Sequence, residues 1–303
     1  MPAVVKHKLL LYADDSAILV HSKHIHEVES LLSSELETVS DWLICNKLSL
    51  HLGKTESVLF GSKHKLKSQS KLSVSCKGQP IEAKESVKYL GATIDQNLSF
   101  DSMANSVLKK ANARLKFLYR KGCFLSFHTK RLLVMSIIQC HIDYASTVWF
   151  YSITQALRNK LQTTQNKLVR FVLNLDSQTH VGNEQLAVLN WLPVAKRVDF
   201  ITLCQVFKIH NNYSPSYMQE HFIPVSSSHQ YSTRFRVTTT NNSNNSDIGF
   251  KDSGRYTIPR VKGFGKKSFA FRGCLLWNEL PQHIRDSESL VAFKHNVKHH
   301  LLL

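Results

Sequence analysis

The chain has 303 residues, of which 43% are hydrophobic, enough apolar material for two or three compact units. Lysine and arginine total 39 against 22 aspartate and glutamate, and the formal net charge of +17 favours a polyanionic partner, nucleic acid before an anionic membrane surface. No Cys-x-x-Cys pair, signal peptide or membrane-span pattern occurs, so we expect an intracellular protein of the nucleus or cytoplasm without a zinc knuckle. A surface on which the lysines are merely solvated is the alternative explanation of the charge.

The first pattern in the chain is a pair of short apolar runs around two acidic residues. Residues 9–13 precede Asp14 and Asp15, and residues 17–20 follow them. This arrangement predicts a β-hairpin with both carboxylates at its tip. Adjacent carboxylates repel each other, and a divalent cation such as Mg²⁺ would relieve that repulsion. Ordinary turns also carry aspartate, so the pair by itself leaves both interpretations open.

An amphipathic helix is predicted after the hairpin, because apolar residues recur there at helical spacing. They are Val28, Leu31, Leu32, Leu36, Val39, Trp42 and Leu43. Residues 57–60 and 87–90 are short apolar segments that we interpret as strands. The lysine- and serine-rich residues 61–78 between them predict a loop or a weak hairpin.

From residue 101 to about residue 225 the pattern is helical. Helices are predicted over residues 106–120, 129–150, 155–175 and 194–211, and the second is apolar almost all round. The first has a cationic face that would contact phosphates without reading sequence, or would simply be solvated. Its members are Lys109, Lys110, Arg114, Lys116 and Arg120.

The last quarter of the chain changes in composition. Residues 238–246 are serine, threonine and asparagine, which bury too little apolar surface to order themselves, so we predict a linker. Aromatic and aliphatic residues return over 268–280 and include Trp277. A final short helix is predicted over residues 287–302.

Several motifs occur in the order of a known enzyme family. They are Tyr12-Ala13-Asp14-Asp15, Lys54-Thr55-Glu56 and Val87-Lys88-Tyr89-Leu90-Gly91. Together they resemble the last palm motifs of the reverse transcriptase of a non-LTR, LINE-like retrotransposon of the jockey type. Motifs in the helical region extend the resemblance over nearly the whole chain: Asp143-Tyr144-Ala145, Gln165-Asn166-Lys167, Trp191-Leu192-Pro193-Val194 with Arg197, and Leu276-Trp277-Asn278-Glu279-Leu280-Pro281.

The resemblance implies roles for individual residues. Asp14 and Asp15 would hold the catalytic Mg²⁺ or Mn²⁺, and Lys54 would lie near the phosphates of the incoming nucleotide, where a loop lysine is the plainer interpretation. The primer grip would consist of Tyr89, Leu90 and Gly91, which otherwise form a core strand and its turn. His51 departs from the family, which has asparagine shortly before the Lys-Thr motif.

The resemblance also implies an architecture and partners. We expect an α+β fold with a partial palm over residues 1–100, a helical thumb and connection region over 101–225, a disordered linker over 226–260 and a small C-terminal unit over 261–303. The partners would be an RNA template and a DNA primer strand, with no membrane and no small-molecule cofactor. The sequence leaves the oligomeric state open.

The expected function is that of a fragment of an RNA-directed DNA polymerase. The family's other metal-binding aspartate and its fingers belong upstream of the motifs present here, and the chain begins a few residues before the hairpin. Because in-line phosphoryl transfer needs both metal ions held rigidly, we expect no polymerase activity from this chain alone. The alternatives are a non-catalytic, basic nucleic-acid-binding module and a decayed retrotransposon product.

Overall fold

A computed structural model of the chain describes residues 4–67, 72–228, 237–238, 250–251 and 254–302. The chain divides into two compact units, Met1–Met103 and Ala104–Leu303, called here the hairpin unit and the helical unit. Short strands dominate the first and helices the second, and this mixture confirms the α+β class. Among the helices described, none is long and apolar enough to cross a membrane.

The hairpin unit begins with the predicted hairpin and amphipathic helix. Strand β1 (Lys8–Tyr12) pairs antiparallel with β2 (Asp15–Leu19), and helix α1 (Ile25–Cys45) follows. Both predictions are confirmed. Val28 and Val39 are buried along the apolar stripe of α1, as its spacing requires.

The remainder of this unit consists of short elements. They are a 3₁₀ turn (Leu52–Lys54), β3 (Glu56–Ser57), α2 (Lys63–Lys67), β4 (Val74–Cys76), β5 (Gln79–Ala83), β6 (Ser86–Tyr89) and β7 (Ala92–Asp95). β5 lies between β3 and β4 in one sheet, parallel to β3 and antiparallel to β4, while β6 and β7 form a separate hairpin.

Two strand-level predictions change in this unit. The strand predicted over 57–60 shortens to β3, and the stretch predicted as a loop or weak hairpin contains α2 and β4, with residues 68–71 outside the described residues. β4 packs on α1, and Val74, Cys76 and Ile81 form the core with Val28. This burial explains why a polar stretch still contributes a strand.

In the part of the chain that the structure describes, the helical unit contains three long helices and a fourth helical stretch, over residues 127–143, that consists of three consecutive segments. Short helices join them. In chain order, these elements are α3 (Asp101–Tyr119), α4 (Phe127–Leu133), a π-helical segment (Val134–Gln139), α5 (Cys140–Asp143), α6 (Ser146–Trp149), α7 (Gln155–Leu173), α8 (Asn183–Val188) and α9 (Val194–His210). The helices predicted over 106–120, 155–175 and 194–211 are confirmed as α3, α7 and α9.

The single helix predicted over 129–150 is wrong, because the chain breaks after α5. Tyr144 is extended, with a ψ of 121°, and Ala145 is left-handed, with a φ of 50°. The indole N–H of Trp149 donates to the Tyr144 carbonyl at 2.9 Å, which satisfies an acceptor that the helix no longer uses. The apolar residues on both sides of the break do not mark it, since such residues are common to one long helix and to two short ones.

Two clusters of buried side chains form the core of the helical unit. The first joins α3, the π-helical segment, α7 and α8 through residues such as Leu115, Ile138 and Leu168. The second joins α9 to the C-terminal helices, and at its centre Phe207 stacks on Phe293 with ring centroids 4.2 Å apart. Both rings and Trp277 are at most 1% exposed.

Among the described residues, eight elements follow α9. They are α10 (Ser216–Gln219), α11 (Val225–Ser228), β8 (Val237–Thr238), β9 (Phe250–Lys251), a 3₁₀ turn (Gly263–Lys267), α12 (Phe269–Glu279), α13 (Gln282–Arg285) and α14 (Leu290–Leu302). Sequence predicts a separate unit over 261–303, whereas α12 and α14 pack on α9. Trp277 of α12 is fully buried in the cluster that includes the apolar face of α9.

The predicted linker also needs correction at its far end. Most of it, including residues 239–249, lies outside the described residues, but Tyr256 is 5% exposed and its backbone pairs with Pro224. The Val225 N–H donates to the Arg255 carbonyl at 3.0 Å, and the Thr257 N–H donates to the Ile223 carbonyl at 2.8 Å. These bonds hold the chain on both sides of the undescribed residues at one place.

Candidate functional site

The acidic pair lies at the tip of the first hairpin, where the sequence predicts it. Tyr12 pairs with Asp15, so Ala13 and Asp14 form a two-residue turn, and Ala13 has a φ of 52°. Asp14 and Asp15 are both exposed. Within the described part of the chain, neither carboxylate forms a hydrogen bond or an ion pair, so the oxygens of both are available to a ligand.

The donor set at this tip suits a hard divalent cation only in part. Mg²⁺ takes oxygen ligands in near-octahedral geometry, and two adjacent carboxylates supply two of them. Among the described residues, no group of three or more histidine, cysteine, aspartate or glutamate side chains is arranged to hold a metal ion. The pair is therefore an incomplete ligand set that substrate or other groups would have to complete.

The base of this hairpin is fixed to α1 by an interaction that sequence reasoning missed. The ring Nδ1 of His7 lies 2.7 Å from the Oε1 of Glu35, and the backbone N–H of Lys6 donates to the same carboxylate at 3.2 Å. Glu35 is only 5% exposed. The available signal was its position on the apolar stripe of α1, where a carboxylate must find a partner.

Lys54 and the Tyr89-Leu90-Gly91 segment lie in other elements of the same unit. Lys54 ends the 3₁₀ turn with its side chain exposed, and its N–H donates to the His51 carbonyl at 3.0 Å. Tyr89 ends β6, and the turn that follows has positive φ at Leu90 (46°) and at Gly91 (80°), the pattern of a type I′ hairpin. This hairpin and the one that carries Asp14 form separate two-stranded sheets, and the proposed roles remain predictions.

Four of the five cationic residues predicted on α3 project into solvent. Lys109, Lys110, Lys116 and Arg120 are exposed, the last just after the helix. Arg114 is half-buried, and its Nη1 donates to the Ile137 carbonyl at 2.8 Å, which ties α3 to the π-helical segment. Phe117 lies among the exposed cations with 63% of its surface accessible.

His141 lies close to two of the cationic side chains of α3. Burial lowers the pKa of His141, and the charges of Arg114 and Lys110 lower it further, because a cationic imidazole is disfavoured beside like charges.

The helical motifs of the resemblance meet in space as structural contacts. Arg197 binds the Asp143 carboxylate with two parallel bonds, Nε to Oδ1 at 2.7 Å and Nη2 to Oδ2 at 2.5 Å. The buried amide of Gln165 donates to the Leu192 carbonyl at 2.9 Å. Three motifs that are separate in sequence therefore support one another around the helix break.

The motif that contains Trp277 and Asn278 also forms hydrogen bonds to backbone groups of a distant segment. The side chain of Asn278 accepts from the Tyr256 N–H at 2.9 Å and donates to the Tyr256 carbonyl at 2.7 Å. The indole N–H of Trp277 donates to the Gly254 carbonyl at 2.7 Å. Adjacent residues of one motif thus hold the segment that follows the undescribed region.

Comparison with known proteins gives relatives of one kind. The chain is 28% identical over 162 residues to the RNA-directed DNA polymerase from mobile element jockey of Drosophila melanogaster, a match that covers 52% of this chain and 17% of that protein. It is 22% identical over 199 residues to the probable RNA-directed DNA polymerase from transposon BS of the same fly, covering 59% of this chain and 21% of that protein. A probable RNA-directed DNA polymerase from transposon X-element matches at 21% identity over 170 residues, or 55% of this chain and 18% of the relative.

The chain therefore spans only about a fifth of the length of these curated relatives, between 17% and 21%. No family model matches it, and no solved structure does. Over about half of its own length, this chain is related to the RNA-directed DNA polymerases of jockey-type mobile elements.

Proposed function

We propose that the chain is a segment of an RNA-directed DNA polymerase in which Asp14 and Asp15 bind a divalent cation. The observation that carries the proposal is the pair of exposed carboxylates, without a partner among the described residues, at the tip of a tight hairpin in a chain related to such enzymes. Mg²⁺ or Mn²⁺ held there would polarise phosphate oxygens during nucleotidyl transfer. The hairpin and its His7–Glu35 anchor would position the two carboxylates for that ion.

Two further roles belong to the same proposal. The exposed ammonium of Lys54 would approach the phosphates of the incoming nucleotide. The backbone of Tyr89, Leu90 and Gly91 would hold the primer end, and the type I′ turn supports this role because it presents backbone groups without a bulky loop.

The cationic face of α3 would follow the backbone of the RNA template and DNA primer. Lys109, Lys110, Lys116 and Arg120 support this role because they are exposed on one amphipathic helix whose other face is buried. Contacts of this kind fix position without reading sequence. Each one makes the fall of log K with log salt concentration steeper by roughly 0.7–0.9. Phe117, exposed among them, is suited to stack on an unpaired base.

We further propose that these 303 residues bind template–primer but do not extend it alone. Two-metal phosphoryl transfer needs ligands held to well under 1 Å, and the acidic pair offers only part of that set. The binding surface on α3 depends on the helical core and not on the acidic pair, so binding and chemistry can be separated by experiment.

The first experiment addresses the acidic pair. Mn²⁺ binding is measured by water-proton relaxation for the whole chain, for Asp14→Asn/Asp15→Asn and for Glu37→Gln/Glu85→Gln, a control that removes two exposed carboxylates from the same unit. We expect the first variant alone to lose the tightest Mn²⁺ site. Equal relaxation in all three proteins would exclude metal binding at the hairpin.

Primer extension on an RNA template with Mg²⁺ then tests the activity. We expect none from the chain or from either variant. Extension by the chain that disappears in Asp14→Asn/Asp15→Asn would confirm the metal role and contradict the proposed inactivity.

The second experiment addresses α3. Fluorescence anisotropy with labelled template–primer compares Lys109→Gln/Lys110→Gln/Lys116→Gln with Lys160→Gln/Lys262→Gln/Lys294→Gln, an equal loss of charge at other exposed positions of the helical unit. We expect the α3 variant to bind at least about tenfold more weakly at 0.1 M salt and to have a smaller salt slope. An equal loss in both variants would mean that net charge, and not α3, governs binding.

A further inference from the structure

A small basic cavity in the helical unit lies apart from all the residues assigned above. Its volume is about 230 Å³, and five parts of the chain line it: the segment between α6 and α7, α7 itself, α9, the 3₁₀ turn and α12. The charged and polar side chains that line it are Tyr151, Arg158, Asp199, Lys266, Lys267 and Arg272. Four of them are cationic and one is a carboxylate, so the lining has a strong excess of positive charge.

The two arginines of this cavity are held in place without being neutralised. The guanidinium of Arg272 stacks on the Tyr151 ring, with its carbon 4.5 Å from the ring centroid, and that of Arg158 lies 5.4 Å from the centroid of Phe150. Among the described residues neither arginine forms an ion pair, and the Nε of each is buried without a hydrogen-bond partner. Arg158 does donate through Nη2 to the Tyr151 carbonyl at 2.7 Å, which fixes its direction.

The single carboxylate, Asp199, accepts a hydrogen bond from Tyr151 and forms no ion pair among the described residues. The Tyr151 hydroxyl donates to Asp199 at 2.6 Å and lies 3.3 Å from the Thr202 hydroxyl. Asp199 thereby holds the ring on which Arg272 stacks. Burial raises the pKa of Asp199, although the bond from Tyr151 and the charges of Arg272 and Arg158 act in the opposite direction. Burial and then the charge of Arg272 lower the pKa of Arg158.

Two half-buried, preorganised guanidinium groups that share one nearby carboxylate are suited to bind a phosphate group. Arginine offers several donors in a rigid fork that matches phosphate oxygens, and it loses little freedom when the side chain is already fixed. A phosphate carries about −1.5 to −2 charges at neutral pH, a better match to the excess charge here than a single carboxylate. The cavity is smaller than the roughly 300–1,000 Å³ typical of drug-sized ligands, so it accommodates a phosphate group and not a whole nucleotide.

We propose that this cavity binds a phosphate group through Arg158, Arg272, Lys266 and Lys267. The inference depends on the cavity alone and not on the polymerase assignment or on α3. The phosphate has two sources, the backbone of a nucleic-acid strand and a free phosphate or pyrophosphate, and the two are distinguishable in solution.

The test uses the whole chain and two probes. Pyrophosphate binding is measured by isothermal titration calorimetry, and binding of a single-stranded oligonucleotide is measured by anisotropy over a range of salt concentrations. The variants are Lys266→Gln/Arg272→Gln and the matched control Lys160→Gln/Lys262→Gln, which alters exposed lysines on α7 and beside the 3₁₀ turn that do not line the cavity. Lys266→Gln alone, at an exposed position, provides a variant whose folding is not at risk.

We expect the cavity variant to bind at least one probe about tenfold or more weakly than the control, because charge-assisted bonds from two side chains are lost. A loss confined to pyrophosphate identifies a free phosphate as the ligand. A loss confined to the oligonucleotide, with a salt slope smaller by roughly 0.7 per lost contact, identifies a strand backbone.

Equal affinity of the cavity and control variants for both probes, with Lys266→Gln unchanged as well, would overturn the inference. The outcome is independent of the template–primer experiment, because the α3 variants leave the cavity intact. Weak binding by α3 variants combined with normal pyrophosphate binding would separate the two surfaces directly.

Discussion

The hairpin unit and the helical unit differ in how much apolar surface supports them. Among the described residues, eight buried hydrophobic side chains lie in the hairpin unit and thirty-nine lie in the helical unit, which is about twice as long. The hairpin at its start also exposes Leu11, Tyr12 and Leu19. The candidate chemistry thus lies on the weakly supported unit, and a two-stranded sheet is marginal without further packing. Stability and candidate catalysis are therefore separate properties of this chain.

The largest expected effect tests the strength of the helical core. Trp277→Ala should cost about 3–5 kcal/mol, since it removes a fully buried ring and its bond to Gly254. Val74→Ala in the hairpin unit should cost only about 2 kcal/mol, since it removes far less buried surface. Hydrogen exchange read by mass spectrometry, peptide by peptide, measures both. Equal losses of unfolding free energy in the two variants would contradict the expected difference between the two cores.

The ion pair beside the helix break should have the next largest effect. Arg197→Ala should destabilise the helical unit by about 2 kcal/mol, because Asp143 loses two charge-assisted bonds. Arg197→Lys should recover little of this, since an ammonium cannot bind both oxygens in parallel. Urea denaturation of these variants and of Asp143→Asn, alone and combined, gives the coupling energy. A coupling near zero would mean that the break is stable without the pair.

The carboxylate of Asp95, at the end of β7, should make the stability depend on pH. Burial raises the pKa of Asp95, but the backbone N–H groups of Phe100 and Ser99 donate to it and together hold that pKa below its usual 3.8. The contribution is therefore present above 3.8 and lost as the pH falls through the lower folded-state pKa. Asp95→Asn should cost about 1 kcal/mol at neutral pH and less in acid. Thermal melts from pH 7 to pH 2.5 test this, and a pH-independent difference would contradict it.

The smallest effect concerns the turn that carries the acidic pair. Ala13 has a φ of 52°, a left-handed conformation that costs a residue with a side chain roughly 1–2 kcal/mol. Glycine avoids this cost but loses more conformational entropy on folding, by roughly 0.5–1 kcal/mol. Ala13→Gly should therefore stabilise the hairpin unit by about 0.5 kcal/mol. Ala17→Gly, within β2, should destabilise it by a similar amount and serves as the control. Hydrogen exchange in β1 and β2 distinguishes the two signs.

The spacing of apolar residues along the chain correctly predicted α1 and the first hairpin. The stripe containing Val28 and Val39 predicted α1, and two apolar runs around Asp14 and Asp15 predicted the first hairpin. The helix break at Tyr144 was not predictable in this way, because it is stabilised by Trp149 and lies beside a pair formed with the distant Arg197. Sequence spacing carries no information about which distant residues meet.

The candidate sites show the same difference between residues that are adjacent in sequence and residues that come from different elements. The acidic pair was visible as adjacent residues, but its anchor, His7 with Glu35, joins two elements and was missed. The basic cavity was missed for the same reason, since Arg158 and Arg272 come from α7 and α12. The contact between the C-terminal helices and α9 was missed as well, since Phe293 and the Phe207 ring on which it stacks are far apart in sequence.

The bonds that join residues 223–225 to residues 255–257 have a consequence for substitutions in the second segment. Because these contacts join backbone groups that are distant in sequence, they anchor residues 255–257 to the helical unit whatever side chains those residues carry. A substitution at Thr257 that keeps the backbone N–H should therefore keep the anchor, whereas Thr257→Pro would remove one of its two donors.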